Sequence, residues 1–307
     1  MRILVTGGAG FIGSHIVDLY LAAGHEVAIV DSLWSHGGGK EININPQASL
    51  YRADITDEAG LKRIFNEVRP EIVNHHAAQA SVPFSTQDPL LDARVNVNGL
   101  LNVLTNCTRT GTKKIIFASS AATYGTPNEV PVNEETPQRP ESPYGITKLV
   151  AEYYLRYWYE ANGLRFTALR YGNVYGPRQD PNGEAGVIAI FARHILDHEP
   201  VRIDWDGEQQ KDYVYVGDVA RANLLALDRG DNDFFCIATG DGTSVNEIYR
   251  ALTRSIGYEA KIVRAPRRPG DIHLIYFDCS KAERLLGWKA QVPLEEGMRA
   301  TVQPFGK

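Results

Sequence analysis

Little in this sequence points to disulfides, metals, membranes or nucleic acid. There are three cysteines, Cys107, Cys236 and Cys279. Their number is odd, they lie far apart, and none falls in a C-x-x-C or Cys/His ligand spacing. That argues against a disulfide framework and a zinc site and leaves buried thiols as the expectation. Of eight histidines, the adjacent pair His75 and His76 would point to opposite faces of a strand and cannot converge on one ion. No metal is expected. No apolar run approaches the roughly 20 residues of a membrane-spanning helix, and "MRILVTGG" enters a strand pattern directly instead of a signal peptide. A cytoplasmic protein without a membrane partner is expected. The 32 basic and 37 acidic residues, net −5, are spread along the chain without the lysine or arginine blocks that nucleic acid requires, so nucleic acid is not expected as a partner.

What is present is an alternation. At 307 residues and 43% hydrophobic, the chain can bury one large α/β domain and a smaller satellite. Short β-branched runs, "RILVT", "EVAIVD", "ASLYRAD", "EIVNHHA", "KIIFASS" and "RFTALRY", are separated by amphipathic stretches, including a long helix near residues 88 to 110. That order predicts a doubly wound (Rossmann) parallel sheet with helices on both faces. Beyond Tyr171 the loop "GNVYGPRQDPNGEAG" opens a smaller, discontinuous α/β region. The expected division is a dinucleotide-binding part over residues 1–172, with a strand and helix returning to the main sheet at about 211–230, and a substrate part over 173–210 and 231–307.

The first strand runs into "TGGAGFIGS", with Gly7, Gly10 and Gly13 spaced G-x-x-G-x-x-G at a strand-to-helix turn. Such a turn lets the backbone approach a pyrophosphate, and the helix behind it offers N–H groups and a positive dipole end. The second strand ends at Asp31, eighteen residues after Gly13, where a carboxylate can accept from both ribose hydroxyls of an adenosine. It would repel a 2′-phosphate, and "SLWSHGGG" behind it carries no cation, which favours NAD over NADP. Asp54 in "RADIT" ends the third strand, where an adenine could be capped, although an Asp there also suits the cap of the next helix. Phe11 and Ile12 within the turn, Ile55 beside Asp54, and Tyr171 at the end of the sixth strand are counted with the cofactor-binding residues.

"RPESPYGITK" sets Tyr144 and Lys148 four residues apart behind Pro140 and Pro143. The prolines suit an extended entry and a first helical turn, with the two side chains on one helix face. "FASSAATYG" puts Ser119 and Ser120 at the carboxyl end of a central strand, where open α/β sheets hold ligands. A free tyrosine, at about 10, is a poor base at neutral pH; an adjacent ammonium and a positively charged nicotinamide would both lower it. Tyr144 reads as an activated base, with Lys148 able to hold the nicotinamide ribose and Ser120 able to bond the oxygen being deprotonated.

On these motifs, together with "DIT", "HHAAQASV", "NVNG", "LRYGNVYGPRQDP", "DYVYVGDVA" and "RRPGD", the chain resembles the extended short-chain dehydrogenase/reductase family, and within it the nucleotide-sugar epimerases of the UDP-glucose 4-epimerase type. The resemblance implies a catalytic set of Ser120, Tyr144 and Lys148, and cofactor contacts from Ala77, Ala78 and Gln79 supported by Asn96. It implies substrate contacts from Ser120, Asn173, Lys211, Arg268 and Asp271. Three departures stand out. Ala121 and Ala122 replace the Asp-Glu pair that dehydrating relatives use for elimination. Lys211 stands where many relatives carry an arginine, keeping the charge but losing the bidentate fork. The loop after Asp31 differs from the usual short polar turn. Arg267 and Arg268 in "APRRPGD" suit a diphosphate, with a solvated turn as the alternative.

The expected reaction is NAD-dependent inversion at C4 of a UDP-linked hexose, UDP-glucose and UDP-galactose, through a transient 4-keto sugar. The alternatives are another use of that ketone, such as decarboxylation or net reduction, and a non-catalytic NAD-binding redox sensor. The long helix and the one from Tyr144 onward carry more apolar and aromatic surface than one sheet face needs. Paired across a two-fold, as in resembling proteins, they predict a homodimer with a four-helix interface. Tyr154, Tyr157 and Trp158 are expected in core or dimer packing.

Overall fold

The computed structural model describes residues 1–34, 38–181, 186–267 and 272–303. In chain order the strands are β1 (Arg2–Thr6), β2 (Glu26–Asp31), β3 (Ser49–Arg52), β4 (Ile72–His75), β5 (Lys114–Ser120), β6 (Arg165–Tyr171), β7 (Asn173–Tyr175), β8 (Val201–Asp204), β9 (Gln210–Lys211), β10 (Tyr213–Tyr215), β11 (Asp233–Ile237), β12 (Thr243–Ser244), β13 (Ile262–Ala265) and β14 (Leu274–Ile275). The helices are α1 (Phe11–Ala22), α2 (Glu58–Val68), α3 (Val82–Gln87), α4 (Pro89–Ala93), α5 (Gly99–Thr110), α6 (Pro143–Asn162), α7 (Val187–Leu196), α8 (Val216–Leu225), α9 (Val245–Ile256), α10 (Ser280–Leu286) and α11 (Leu294–Val302). A π-helical turn, Arg94–Asn98, joins α4 to α5, so the long helix expected near residues 88 to 110 is one run with a widened turn inside it.

Seven strands form one parallel sheet in the order β3-β2-β1-β4-β5-β6-β11. This is the doubly wound Rossmann arrangement that the alternation predicts. Alternate residues of each strand serve two cores. Ile3 and Val5 meet Ile16, Val17 and Tyr20 of α1 on one face. Leu4 meets Leu61 and Phe65 of α2 and Leu100 and Leu104 of α5 on the other. A strand buried on both faces is apolar at most positions, and its buried polar residues, such as His75 and Arg170, need partners, which is why these runs read as nearly continuous instead of alternating. Successive strands are added on one side of β1 up to β3 and on its other side from β4 onward, and the switch point between the parallel strands β1 and β4 opens the crevice in which such sheets bind ligands.

The returning segment needs correction. Within residues 211–230 only the helix comes back: α8 contributes Val219, Ala220 and Ala222 to the α1 face. β10 pairs with β7 in a separate two-stranded sheet. The strand that extends the central sheet is β11, beside β6, within the residues 231–307 expected in the substrate part. The physical reason is burial on both faces: Phe235 and Ile237 enter one core and Phe234 the other. Leu286 and Trp288 also fill the α1-side core. A third core, built from α7, α9, α11, β8 and β13, belongs to the smaller α/β region. Among the described residues no helix is long and apolar enough to cross a membrane.

Candidate active site

The glycine turn comes first. Gly7 has φ +73°, and a Cβ on it would lie 2.6 Å from the Ala77 nitrogen. Any side chain there would push the turn away from the loop after β4. The N-terminus of α1, like those of α7 and α8, has no side-chain cap, and its first turn carries no acidic residue. Its N–H groups are therefore left to an external acceptor, the donor set that a pyrophosphate requires.

Asp31 closes β2 beside that turn. Its Oδ2 accepts from the Ala9 N–H at 3.0 Å and its Oδ1 from the Leu33 N–H at 2.9 Å. Burial raises its pKa above the usual carboxylate range, and the two N–H bonds oppose the shift. A carboxylate has about four acceptor sites, so two protein bonds leave capacity for two ribose hydroxyls. The nearest lysine downstream, Lys40, pairs with Asp180 at 2.7 Å. Asp54 resolves in part: its Oδ1 accepts from Thr56 N–H and Oγ1–H at 2.7 and 2.8 Å, while the cap of α2 is Asp57. These features fit NAD: an uncapped helix start, a turn without room for side chains, and a carboxylate with remaining acceptors.

The opposite wall is α6. Ser142 caps it, accepting from the Gly145 N–H at 3.1 Å, and Pro143 occupies the first turn. Gly145 lies so close against the Ala122 carbonyl that a Cβ would collide with it. The helix start is thereby pressed onto the turn that follows β5, bringing Tyr144 toward the strand end that holds Ser120. Lys148, buried one turn on, donates from Nζ to the Ala118 carbonyl at 2.8 Å, and Nζ lies 5.7 Å from the centre of the Tyr144 ring. Ser120 is half-buried, and its Oγ accepts from the Ala122 N–H at 3.1 Å.

Beneath the cleft runs a polar chain. His75 Nδ1 bonds Thr6 Oγ1 at 2.7 Å; His76 bonds Tyr171 OH through Nε2 at 3.0 Å, and the two rings stack. Burial, then the Lys148 charge, lowers His75 to about 3 and lowers His76 likewise, so both are neutral at physiological pH. Asn223 donates to Tyr171 OH at 2.8 Å. Burial pushes the Tyr171 phenol above its ordinary value, against the Asn223 bond.

These elements border a cleft of about 580 Å³, within the usual range for small-molecule sites. Gly7, Gly10, Phe11, Ile12, Gly13, Asp31, Asp54, Ile55, Ala77, Ala78, Gln79, Tyr144, Lys148 and Tyr171 all line it. Asn96 stands behind that wall: its Oδ1 accepts from Gln79 N–H at 2.8 Å, and its amide reaches buried Asp92 at 3.1 Å. Ser119, rather than Ser120, is the serine on the cleft wall. Asn173 and Lys211 lie outside that wall but near each other, since Asn173 pairs in register with Tyr213. Arg268 and Asp271 fall outside the described residues. Unforeseen members of the wall include His76, Leu91, Arg94, Arg178, Gln179 and Asp180. The rule that ligands sit at carboxyl ends would have found His76, which directly follows β4. Among the described residues no group of three or more His, Cys, Asp and Glu could hold a metal ion.

A family model described as GDP-mannose 4,6 dehydratase matches residues 4–301. The chain is similar to the solved UDP-glucose 4-epimerase of Thermotoga maritima with UDP-glucose: 49% identity, 100% of this chain and 99% of that one covered, TM-score 0.97. It is similar to the UDP-glucose 4-epimerase of Thermus thermophilus in complex with NAD, at 44% identity, with 100% and 99% covered and TM-score 0.95. A UDP-N-acetylglucosamine 4-epimerase of Methanobrevibacter ruminantium, in complex with UDP-N-acetylmuramic acid, shares 36% identity over 99% of this chain and 97% of that one, TM-score 0.93. The chain belongs to the extended short-chain dehydrogenase/reductase family, among its NAD-dependent nucleotide-sugar epimerases.

Proposed function

We propose that this chain interconverts UDP-glucose and UDP-galactose by inversion at C4, through a transient 4-keto sugar, with Ser120, Tyr144 and Lys148 as the catalytic residues. The observation that carries the reading is the sharing of one α6 face by Tyr144 and Lys148, on the wall of the cleft that Asp31 also lines. Tyr144 takes the proton of the C4 hydroxyl at its phenolic oxygen and later returns it. Lys148, held by the Ala118 carbonyl, keeps a positive charge beside that oxygen. Ser120 accepts its own bond from the Ala122 N–H and so has its hydroxyl hydrogen to offer the substrate oxygen. NAD, which the Gly7–Gly13 turn, Asp31, Tyr144 and Lys148 would hold in the cleft, would supply reversible hydride chemistry at C4. Ala121 and Ala122 supply neither acid nor base, which disfavours elimination and leaves the ketone to be reduced again.

Asn173 and Lys211, with Arg268 and Asp271, are proposed to hold the diphosphate about which the sugar turns. The dinucleotide part then comprises residues 1–172 with α8 and β11, and the substrate part the remainder of 173–307. The cytoplasmic location expected from the sequence stays part of the proposal. Proton NMR of the anomeric region tests the reading with UDP-glucose, UDP-galactose, UDP-N-acetylglucosamine and UDP-glucuronate. Interconversion of the first two, with only NAD carried by the protein and no second substrate, is the expected result. Turnover confined to the N-acetylated sugar, carbon dioxide release, or stoichiometric accumulation of reduced cofactor would overturn it.

A further inference from the structure

Directly behind the proposed catalytic residues lies a buried ion pair that the chemistry above does not use. Glu152 follows Lys148 by four residues and Tyr144 by eight, so all three share one face of α6. Its Oε1 accepts from Ser119 Oγ at 2.6 Å and from Arg170 Nε at 2.9 Å. Its Oε2 accepts from Arg170 Nη2 at 2.7 Å and from Gln138 Nε2 at 3.1 Å. Both charged side chains are 4% exposed. Ser119 and Arg170 are register partners on β5 and β6, and Arg170 continues to Tyr124 OH at 2.7 Å and the Glu134 carbonyl at 3.2 Å.

A buried ion pair adds little net stability, because desolvating both charges offsets their attraction. What a two-pronged guanidinium–carboxylate bond does supply is geometry, since its two N–H···O bonds accept one alignment. Here the aligned parts are α6 and the carboxyl ends of β5 and β6. We propose that Glu152 is a positioning residue: through Ser119 and Arg170 it fastens α6 to those strand ends and so sets the spacing of Tyr144, Lys148 and Ser120. The Lys148 bond to Ala118 is a second fastening one turn closer to Tyr144. The network also sorts the two serines. The Ser119 hydroxyl hydrogen is committed to Glu152, so toward the cleft it can only accept, and Ser120 is the serine left to donate.

The inference rests on the roles proposed for Tyr144 and Lys148. Ser119→Ala removes the link to β5 but keeps the ion pair and therefore the fold. It is expected to lower kcat about ten- to a hundredfold, the scale of a small misplacement of reacting groups, with KM for the UDP-sugar and bound NAD per subunit unchanged. The acidic limb of the kcat–pH profile should move to higher pH, because a phenol less closely held by the Lys148 ammonium loses charge stabilisation. Glu152→Gln should act in the same direction and more strongly; if it fails to fold, Ser119→Ala decides. Wild-type kcat and an unmoved limb in Ser119→Ala, with Tyr144→Phe inactive, would overturn this inference and leave the proposed function standing. A loss of kcat that merely tracks loss of bound NAD would overturn it too. An active Tyr144→Phe would remove the proposed function itself.

Discussion

Lys148 gives one Nζ hydrogen to the carbonyl of Ala118 at 2.8 Å while standing 5.7 Å from the centre of the Tyr144 ring. That bond anchors a buried cation to the sheet and not to the helix that carries it, so its distance from the phenol is set by how α6 packs on β5. A cation fixed in this way stabilises phenolate continuously.

Tyr144→Phe removes only the phenolic oxygen. Turnover should fall by ~10² to 10⁴, the usual contribution of a general base, while thermal stability and bound NAD stay at wild-type levels. Single-turnover and steady-state rates measure this; more than a tenth of wild-type activity would refute the assignment.

Asp31 should set the cofactor choice. With its two oxygens already accepting from Ala9 and Leu33, it offers a fixed acceptor for ribose hydroxyls and a repulsive charge for a 2′-phosphate. Stripped protein should bind NAD far more tightly than NADP by calorimetric titration. Asp31→Asn should weaken NAD by about 1.5–3 kcal/mol, the scale of a hydrogen bond to a charged group, while leaving NADP unchanged or tighter. A role limited to holding the turn would weaken both cofactors equally, and equal wild-type affinities would refute the preference altogether.

Legibility in the sequence followed the range of the forces involved. β1 to β6, the glycine turn and the α6 start behind Pro140 and Pro143 could be read because each depends on residues a few positions apart: a doubly buried run, a turn, a proline-led first helical turn. The partner of β6 could not. "YVY" and "DFFCI" are both short and apolar, and choosing between them depends on which can fill two cores at once, a long-range contest that β11 wins with Phe234 and Phe235. The π-helical turn at Arg94–Asn98 left no periodicity signal. The division of labour between Ser119 and Ser120 hinges on Glu152, 33 residues downstream of Ser119. Arg178, Gln179 and Asp180 reach the cleft from a loop whose course no local pattern specifies.

The outer face of α6 supplies the last prediction. Tyr154 and Trp158 turn partly inward against the α2-side core, as expected of core packing. Ile146, Tyr153 and Tyr157, spaced along one stripe of the same helix, are 49%, 65% and 59% exposed, and Leu90 at the start of α4 is 82% exposed. α4 lies beside α6, so exposed apolar and aromatic side chains stand on two neighbouring helices, and such surfaces mark interaction sites. A two-fold pairing of that face would bring four helices together and bury the tyrosines near its centre, where aromatic side chains contribute most to association. Light scattering at micromolar concentration should therefore give the mass of a dimer. Tyr153→Glu combined with Tyr157→Glu should give a monomer that still binds NAD, because both side chains point to solvent within one subunit and neither lines the cleft. A wild-type monomer at that concentration would refute the pairing, and a double variant that remains dimeric would move the interface to another face.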